Sequence, residues 1–316
     1  MRRANFNAIL AASLLGTVAS SCTRAPDEPD AKTFADARRA IEHDIAMDAG
    51  DDTLSLEGRT RFYHYGRPVS HAILLLHGFT NCPQQFDEFA RDLYARGCNV
   101  YVPRIPHHGK KYRLTQDLQD LNVAEMRAFA ERTFKLSRLL GTRTTVLGLS
   151  LGATLAMWLA QTQPADLVIP IAPFLMPAGW NRTAGGATMR AAMLLPNFYW
   201  WWDIRLLTGT RPLYAYPGYP IHALAQITFL GDSIFDLAAK AKPLARRCVL
   251  VLNADDNGIS NSVAADLLAI WQHQRAPYTE VVLRDLGKPR HDIIDPTTFP
   301  DARTLVYPRL AALALS

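Results

Sequence analysis

The sequence predicts an α/β fold in which a mainly parallel central sheet carries helices on both faces and an inserted cap. Apolar runs alternate with amphipathic stretches in a repeated strand–helix order, the order that builds a parallel sheet through crossover helices. The strand-like runs are continuously apolar rather than alternating, as strands covered on both faces must be. One interval breaks the rhythm: more than seventy residues separate the run ending at 172 from the run beginning at 247, well beyond an ordinary connection. Residues 33–172 and 241–316 are therefore expected to form the core, and 173–240 the cap.

Taken in order, the chain opens on an export signal over residues 1–21. Met1-Arg2-Arg3 is basic, Ala4 to Ser21 carries no charge, and the stretch ends in the small residues Ala19, Ser20 and Ser21. Ala19-Ser20-Ser21-Cys22 resembles a bacterial lipobox, in which Cys22 is lipidated and becomes the first mature residue; Ala19 and Ser21 also suit ordinary signal-peptidase cleavage. The expected location is accordingly periplasmic, either free or as a membrane-anchored lipoprotein. Residues 22–32 are polar and proline-containing without periodicity, which suits a flexible tether. Beyond it, buried strands are expected at 71–77, 98–103, 144–149, 166–172, 247–252 and 279–285. Helices are expected at about 84–96, 123–140, 151–163, 260–274 and 299–314.

Composition narrows the class of function. With 316 residues and 49% hydrophobic content the chain buries a large core. Removal of residues 1–21 takes Arg2 and Arg3, so 34 basic residues become 32 against 29 acidic ones and the net charge falls from +5 to +3. So mild an excess does not argue for nucleic acid, and none is expected as a partner. The remaining cysteines, Cys82, Cys98 and Cys248, are odd in number with no C-x-x-C spacing, so neither a disulfide framework nor a zinc site is indicated.

The chemistry centres on Gly148-Leu149-Ser150-Leu151-Gly152, which interrupts an apolar strand run just before a helical one. A serine at such a corner either caps the helix or serves as a nucleophile. Two flanking glycines at a strand-to-helix turn fit the tight elbow that exposes a nucleophile at the carboxyl end of a parallel strand. A serine hydroxyl needs a histidine to take its proton and an acid to orient that histidine. Of the late histidines, His273 falls inside a helical pattern, whereas His291 follows the last strand. Asp255 and Asp256 follow the strand at 247–252; Asp256 is preferred because Ile259, three residues on, can plug its loop into the core. The N–H groups of Leu151 and Phe79 are the expected oxyanion donors, each worth roughly 3–4 kcal/mol in a serine protease.

Together "HGFTN", "PRIPHHG", "GLSLG", "ADDNGIS" and "RHDI" make the chain resemble the α/β-hydrolase superfamily. Within it the likeness is to bacterial serine hydrolases similar to monoacylglycerol lipases and serine aminopeptidase-like enzymes. The resemblance implies a Ser150–His291–Asp256 hydrolase working through an acyl-enzyme with no metal or cofactor. His107 and His108 match the family's loop only loosely, which favours a structural role for them. Lys110, Lys111 and Arg113 depart from a plain lipase, and over 173–230 Arg182, Arg190, Arg205 and Arg211 face the single acid Asp203. The aromatic run "NFYWWWD" either packs the cap on the core, forms an acyl-binding wall or an interfacial patch beside the lipid anchor, or lines a cleft for an anionic chain. Trp200, Trp201, Lys110, Lys111 and Arg113 are the candidate substrate-binding residues. Three readings stand: an esterase or monoacylglycerol-lipase-like enzyme acting on a small ester; an amide hydrolase of an anionic polymer, like a poly(aspartic acid) hydrolase; and a non-catalytic binding module on the same fold.

Overall fold

The computed structural model describes residues 32–202, 214–287 and 290–316. Its sheet has seven strands: β1 (Arg61–Tyr63), β2 (Val69–Leu76), β3 (Asn99–Val102), β4 (Gly141–Leu149), β5 (Leu167–Ile171), β8 (Cys248–Asn253) and β9 (Tyr278–Leu283). They lie in the order β1-β3-β2-β4-β5-β8-β9, with β1 antiparallel to β3 and every other pairing parallel. All six expected strands are present, and their parallel pairing follows from the helices that return the chain between them. These are α2 (Gln84–Ala95), α3 (Val123–Ser137), α4 (Leu151–Thr162) and α7 (Asn261–His273). The expected closing helix is interrupted: a wide turn over Ala302–Val306 precedes α8 (Tyr307–Ala314). Pro308 explains it, since a proline has no N–H to give and its ring crowds the preceding turn.

Central strands and α4 form the middle of the core. Leu74, Leu75, Leu76, Val146, Leu147, Val168, Ile169, Leu250 and Val251 are fully buried, and so is every residue of α4 from Leu151 to Gln161 in effect. A helix apolar on all sides has to be enclosed, and α6 (Ile221–Ala238) and α3 enclose it. Helix α6 lies inside the span expected as cap, yet ten of its residues are buried and it packs on α4 and α7 as a member of the layer. What stands apart from the sheet is α5 (Arg182–Ala192) and a two-stranded ribbon, β6 (Tyr199–Trp201) with β7 (Gly218–Pro220). Ahead of the sheet, α1 (Phe34–Gly50) begins at a capping box between Thr33 and Asp36. Cys82, Cys98 and Cys248 are free and buried. Among the described residues no helix is long and apolar enough to cross a membrane.

Candidate active site

β4 passes directly into α4 through Ser150, which has φ +57° and ψ −114°. An L residue holds such a backbone only when its surroundings enforce it. Crowding supplies the enforcement: a Cβ on Gly152 would lie 1.9 Å from the Leu76 carbonyl oxygen, and one on Gly148 2.2 Å from that of Gly152. Glycine at both positions lets α4 press against β2, as the motif implied. Ser150 N–H donates to the Ile171 carbonyl at 3.0 Å, and the Ser150 carbonyl accepts from the N–H groups of Thr154 at 2.9 Å and Phe174 at 3.2 Å. The hydroxyl stands at the N-cap position of α4 but makes no capping bond. Of the two roles open to this serine, capping is the one it does not perform.

Two strand ends away, His291 Nδ1 and Asp256 Oδ2 are 2.8 Å apart. The Asp256 side chain is fully buried, and its other oxygen accepts from the N–H groups of Gly258 at 2.7 Å and Ile259 at 3.3 Å. A carboxylate so occupied receives the Nδ1 proton, which leaves Nε2 as the basic nitrogen of the ring. Ile259 is buried, as its expected anchoring role requires. Asp255 is exposed. Gly258 lies flat against the imidazole, for a Cβ there would be 3.0 Å from His291 Cγ. The histidine loop is tied to β8 by Asn253, whose side-chain amide donates to the Arg290 carbonyl at 2.7 Å.

The loop after β2 carries Phe79. The N–H groups of Phe79 and Leu151 have no acceptor among the described residues. Gly78 packs close by, its would-be Cβ lying 3.6 Å from the Leu149 carbonyl oxygen, so this loop sits beside the elbow. His77 braces the turn from below: Nδ1–H donates to the Gly78 carbonyl at 3.0 Å and Nε2 accepts from Ile105 N–H at 3.1 Å. Full burial drives the His77 pKa down to about 3, which keeps it neutral and fixes both bonds. His108 is buried against Tyr216, and His107 is paired with Glu125 at 2.9 Å.

The cations named from the sequence are largely engaged. Lys110 Nζ lies 3.3 Å from Asp51, 3.4 Å from Asp117 and 2.7 Å from Thr53 Oγ1. Lys111 Nζ donates to the Asp52 carbonyl. Arg113 is half-buried. Arg182 and Arg190 share Asp232 at 3.7 and 3.3 Å, an acid two residues beyond 173–230. Arg205, Arg211 and Asp203 lie outside the described residues, as do residues 1–21, expected as an export signal, and Cys22. Trp200 and Trp201 are exposed on β6, while the ring of Tyr219 on the facing strand packs tilted against Phe79, with centroids 5.3 Å apart. The ribbon therefore stands over the loop that holds Phe79. Among the described residues no group of three or more His, Cys, Asp or Glu is placed to hold a metal ion.

Residues 73–303 match the model of the alpha/beta hydrolase family. The chain belongs to that family. A thermostable monoacylglycerol lipase of Bacillus sp. (strain H-257) is 31% identical over 118 residues, 37% of this chain and 45% of that protein. The chain thus matches less than half the length of this curated relative. Solved structures of α/β-hydrolases agree in fold. One is a metagenome-derived lipolytic enzyme with a TM-score of 0.61 at 17% identity, covering 83% of this chain and 99% of the other. Another is a soluble variant of the Saccharomyces cerevisiae monoglyceride lipase, with a TM-score of 0.62 at 13% identity over 81% and 90% of the two chains.

Sequence reasoning did not single out Gln85, Asp292 or Gly258, which hold the loops of this site in place. Gly258 had a signal in Asn257-Gly258 as a turn; the other two had none, because their partners are remote in sequence.

Proposed function

We propose that this α/β-hydrolase is a serine hydrolase that cleaves carboxylic esters through an acyl-enzyme, as a carboxylesterase or monoacylglycerol-lipase-like enzyme. The observation that carries the reading is the strained, uncapped Ser150 at the end of β4 and the hydrogen-bonded His291–Asp256 pair in the loops after β8 and β9. In this reading His291 Nε2 takes the hydroxyl proton as Ser150 Oγ attacks the acyl carbon, and Asp256 holds the ring in the tautomer that can accept it. The carbonyl oxygen, now negative, receives the N–H groups of Phe79 and Leu151. Collapse expels the alcohol with the proton from His291, and a water activated the same way releases the acid and restores Ser150.

A neutral ester is preferred because Lys110 lies between Asp51 and Asp117 and Arg182 and Arg190 share Asp232, three cations among three carboxylates that offer an anionic polymer little unbalanced charge. The test is hydrolysis of matched ester and amide substrates, neutral and anionic, at two salt concentrations. Neutral ester turnover insensitive to salt is expected. Faster turnover of the anionic amide, fading at higher salt, would transfer the assignment to an anionic amide hydrolase. We further propose export with lipidation at Cys22: Cys22→Ser should move the protein from the membrane fraction to the soluble one, and a wild-type protein already soluble would contradict it.

A further inference from the structure

The two loops that carry the oxyanion donor and the base are joined by one side chain. Gln85, buried on the first turn of α2, accepts from Gly78 N–H through Oε1 at 2.7 Å. Its Nε2 donates to Asp292 Oδ2 at 2.7 Å, and Asn81 Nδ2 lies 3.5 Å from the same oxygen. The other oxygen of Asp292 accepts from the N–H groups of Ile294 at 3.0 Å and Asp295 at 3.1 Å. Gly78 precedes Phe79, and Asp292 follows His291. Resting on the serine-hydrolase reading above, we propose that Gln85 and Asp292 are positioning residues that set the spacing between the Phe79 N–H and the His291 ring.

The polarity of the bridge admits a single arrangement. The N–H of Gly78 requires an oxygen on the near side of residue 85, and the carboxylate of Asp292 requires a hydrogen on the far side. Both oxygens of Asp292 are committed to donors, so its loop cannot turn without breaking one of them. Residue 85 is buried, so water does not readily replace a lost partner. A shift of either loop misplaces a donor or the base relative to the tetrahedral centre while leaving the binding of the rest of the substrate intact. The effect should therefore fall on kcat rather than KM.

A polarity swap tests this. Gln85→Glu sets two carboxylates against each other, and Asp292→Asn sets amide hydrogens against donors, whichever way it turns. The double variant Gln85→Glu/Asp292→Asn restores an oxygen to Gly78 N–H and one donor between the two side chains, with the total charge unchanged. At about pH 8, kcat for a neutral short-chain ester and the rate of fluorophosphonate labelling of Ser150 are measured with the melting temperature. Each single variant should lose at least tenfold in kcat, less than the ~10²–10³-fold of deleting a donor outright, with KM within about twofold. The double variant should recover to within about threefold of wild type.

Folded single variants with wild-type kcat overturn the bridge, as does a folded double variant no faster than the slower single one. If the single variants melt below the assay temperature, the double variant decides alone: folded and active supports the bridge, folded and inactive overturns it. A wild-type protein that neither hydrolyses esters nor takes the label overturns the hydrolase reading and this proposal with it; an active wild type with unaffected variants removes only the bridge.

Discussion

Replacing Asp256 by asparagine should reduce kcat by ~10⁴-fold, the loss that accompanies a wrongly held histidine tautomer in serine proteases. The structure dictates how the asparagine sits. One side of residue 256 faces the N–H groups of Gly258 at 2.7 Å and Ile259 at 3.3 Å, so the amide oxygen must turn there. Its NH₂ then points at His291 Nδ1, 2.8 Å away in the wild type. The ring answers by accepting at Nδ1 and carrying its proton on Nε2, where it cannot take one from Ser150. At about 1.36 kcal/mol per tenfold, the loss amounts to about 5.4 kcal/mol of transition-state stabilisation. Stability should change by only about 1 kcal/mol, because both backbone bonds survive. The assay is kcat on a short-chain p-nitrophenyl ester with circular dichroism to certify the fold. Asp255→Asn is the control: Asp255 is exposed, and its variant should stay within about twofold of wild type. If Asp256→Asn keeps more than a tenth of the activity, or Asp255→Asn is the worse variant, the orienting role belongs elsewhere.

Other substitutions probe the surroundings of that pair. Gly258→Ala places a methyl 3.0 Å from His291 Cγ and 3.3 Å from Nδ1, so the ring must move by a few tenths of an ångström; kcat should fall roughly tenfold with little change in melting temperature. Gly152→Ala drives a methyl into the Leu76 carbonyl at 1.9 Å and should destabilise by more than about 3 kcal/mol, read from the urea midpoint. Asp295 has its pKa pushed up to about 6, first by burial and then by Asp292 nearby. A raised carboxyl pKa means the folded state binds the proton more tightly than the unfolded one. Wild-type stability from this group is therefore intact below about pH 4, declines as pH rises to about 6, and stays lowered above it. Asp295→Asn should stabilise the protein at pH 8 by on the order of 2 kcal/mol and much less at pH 4; equal shifts at both pH values would show that the carboxylate carries no such penalty.

The parallel sheet and the elbow were legible because their signals are local. Six strands announced themselves as continuous apolar runs, and Gly148 and Gly152 marked a turn whose tightness the 1.9 and 2.2 Å approaches explain. Helix α1 went unread because it buries little, Ala37, Ile41 and Asp48, and so presents a weak stripe. Helix α6 falls within the long interval expected as cap, and its packing on α4 is a tertiary contact that the length of an interval does not reveal. Pairings across long separations left no trace in composition. Asp232, the partner of Arg182 and Arg190, lies 50 and 42 positions on from them, and Gln85 with Asp292 joins positions 207 apart. The choice between Asp255 and Asp256 was readable through Ile259, whose burial turns the loop so that one carboxylate faces inward.

The most direct test of the account is covalent. Treated with a fluorophosphonate, the wild-type protein should gain a single adduct that mass spectrometry maps to Ser150, with ester hydrolysis lost in step with labelling; Ser150→Ala, which leaves the elbow glycines untouched, should take no label and hydrolyse no ester while keeping its circular-dichroism spectrum. Substantial turnover by the folded Ser150→Ala protein, or an adduct on another residue of the active wild type, would contradict the assignment of Ser150 as the nucleophile.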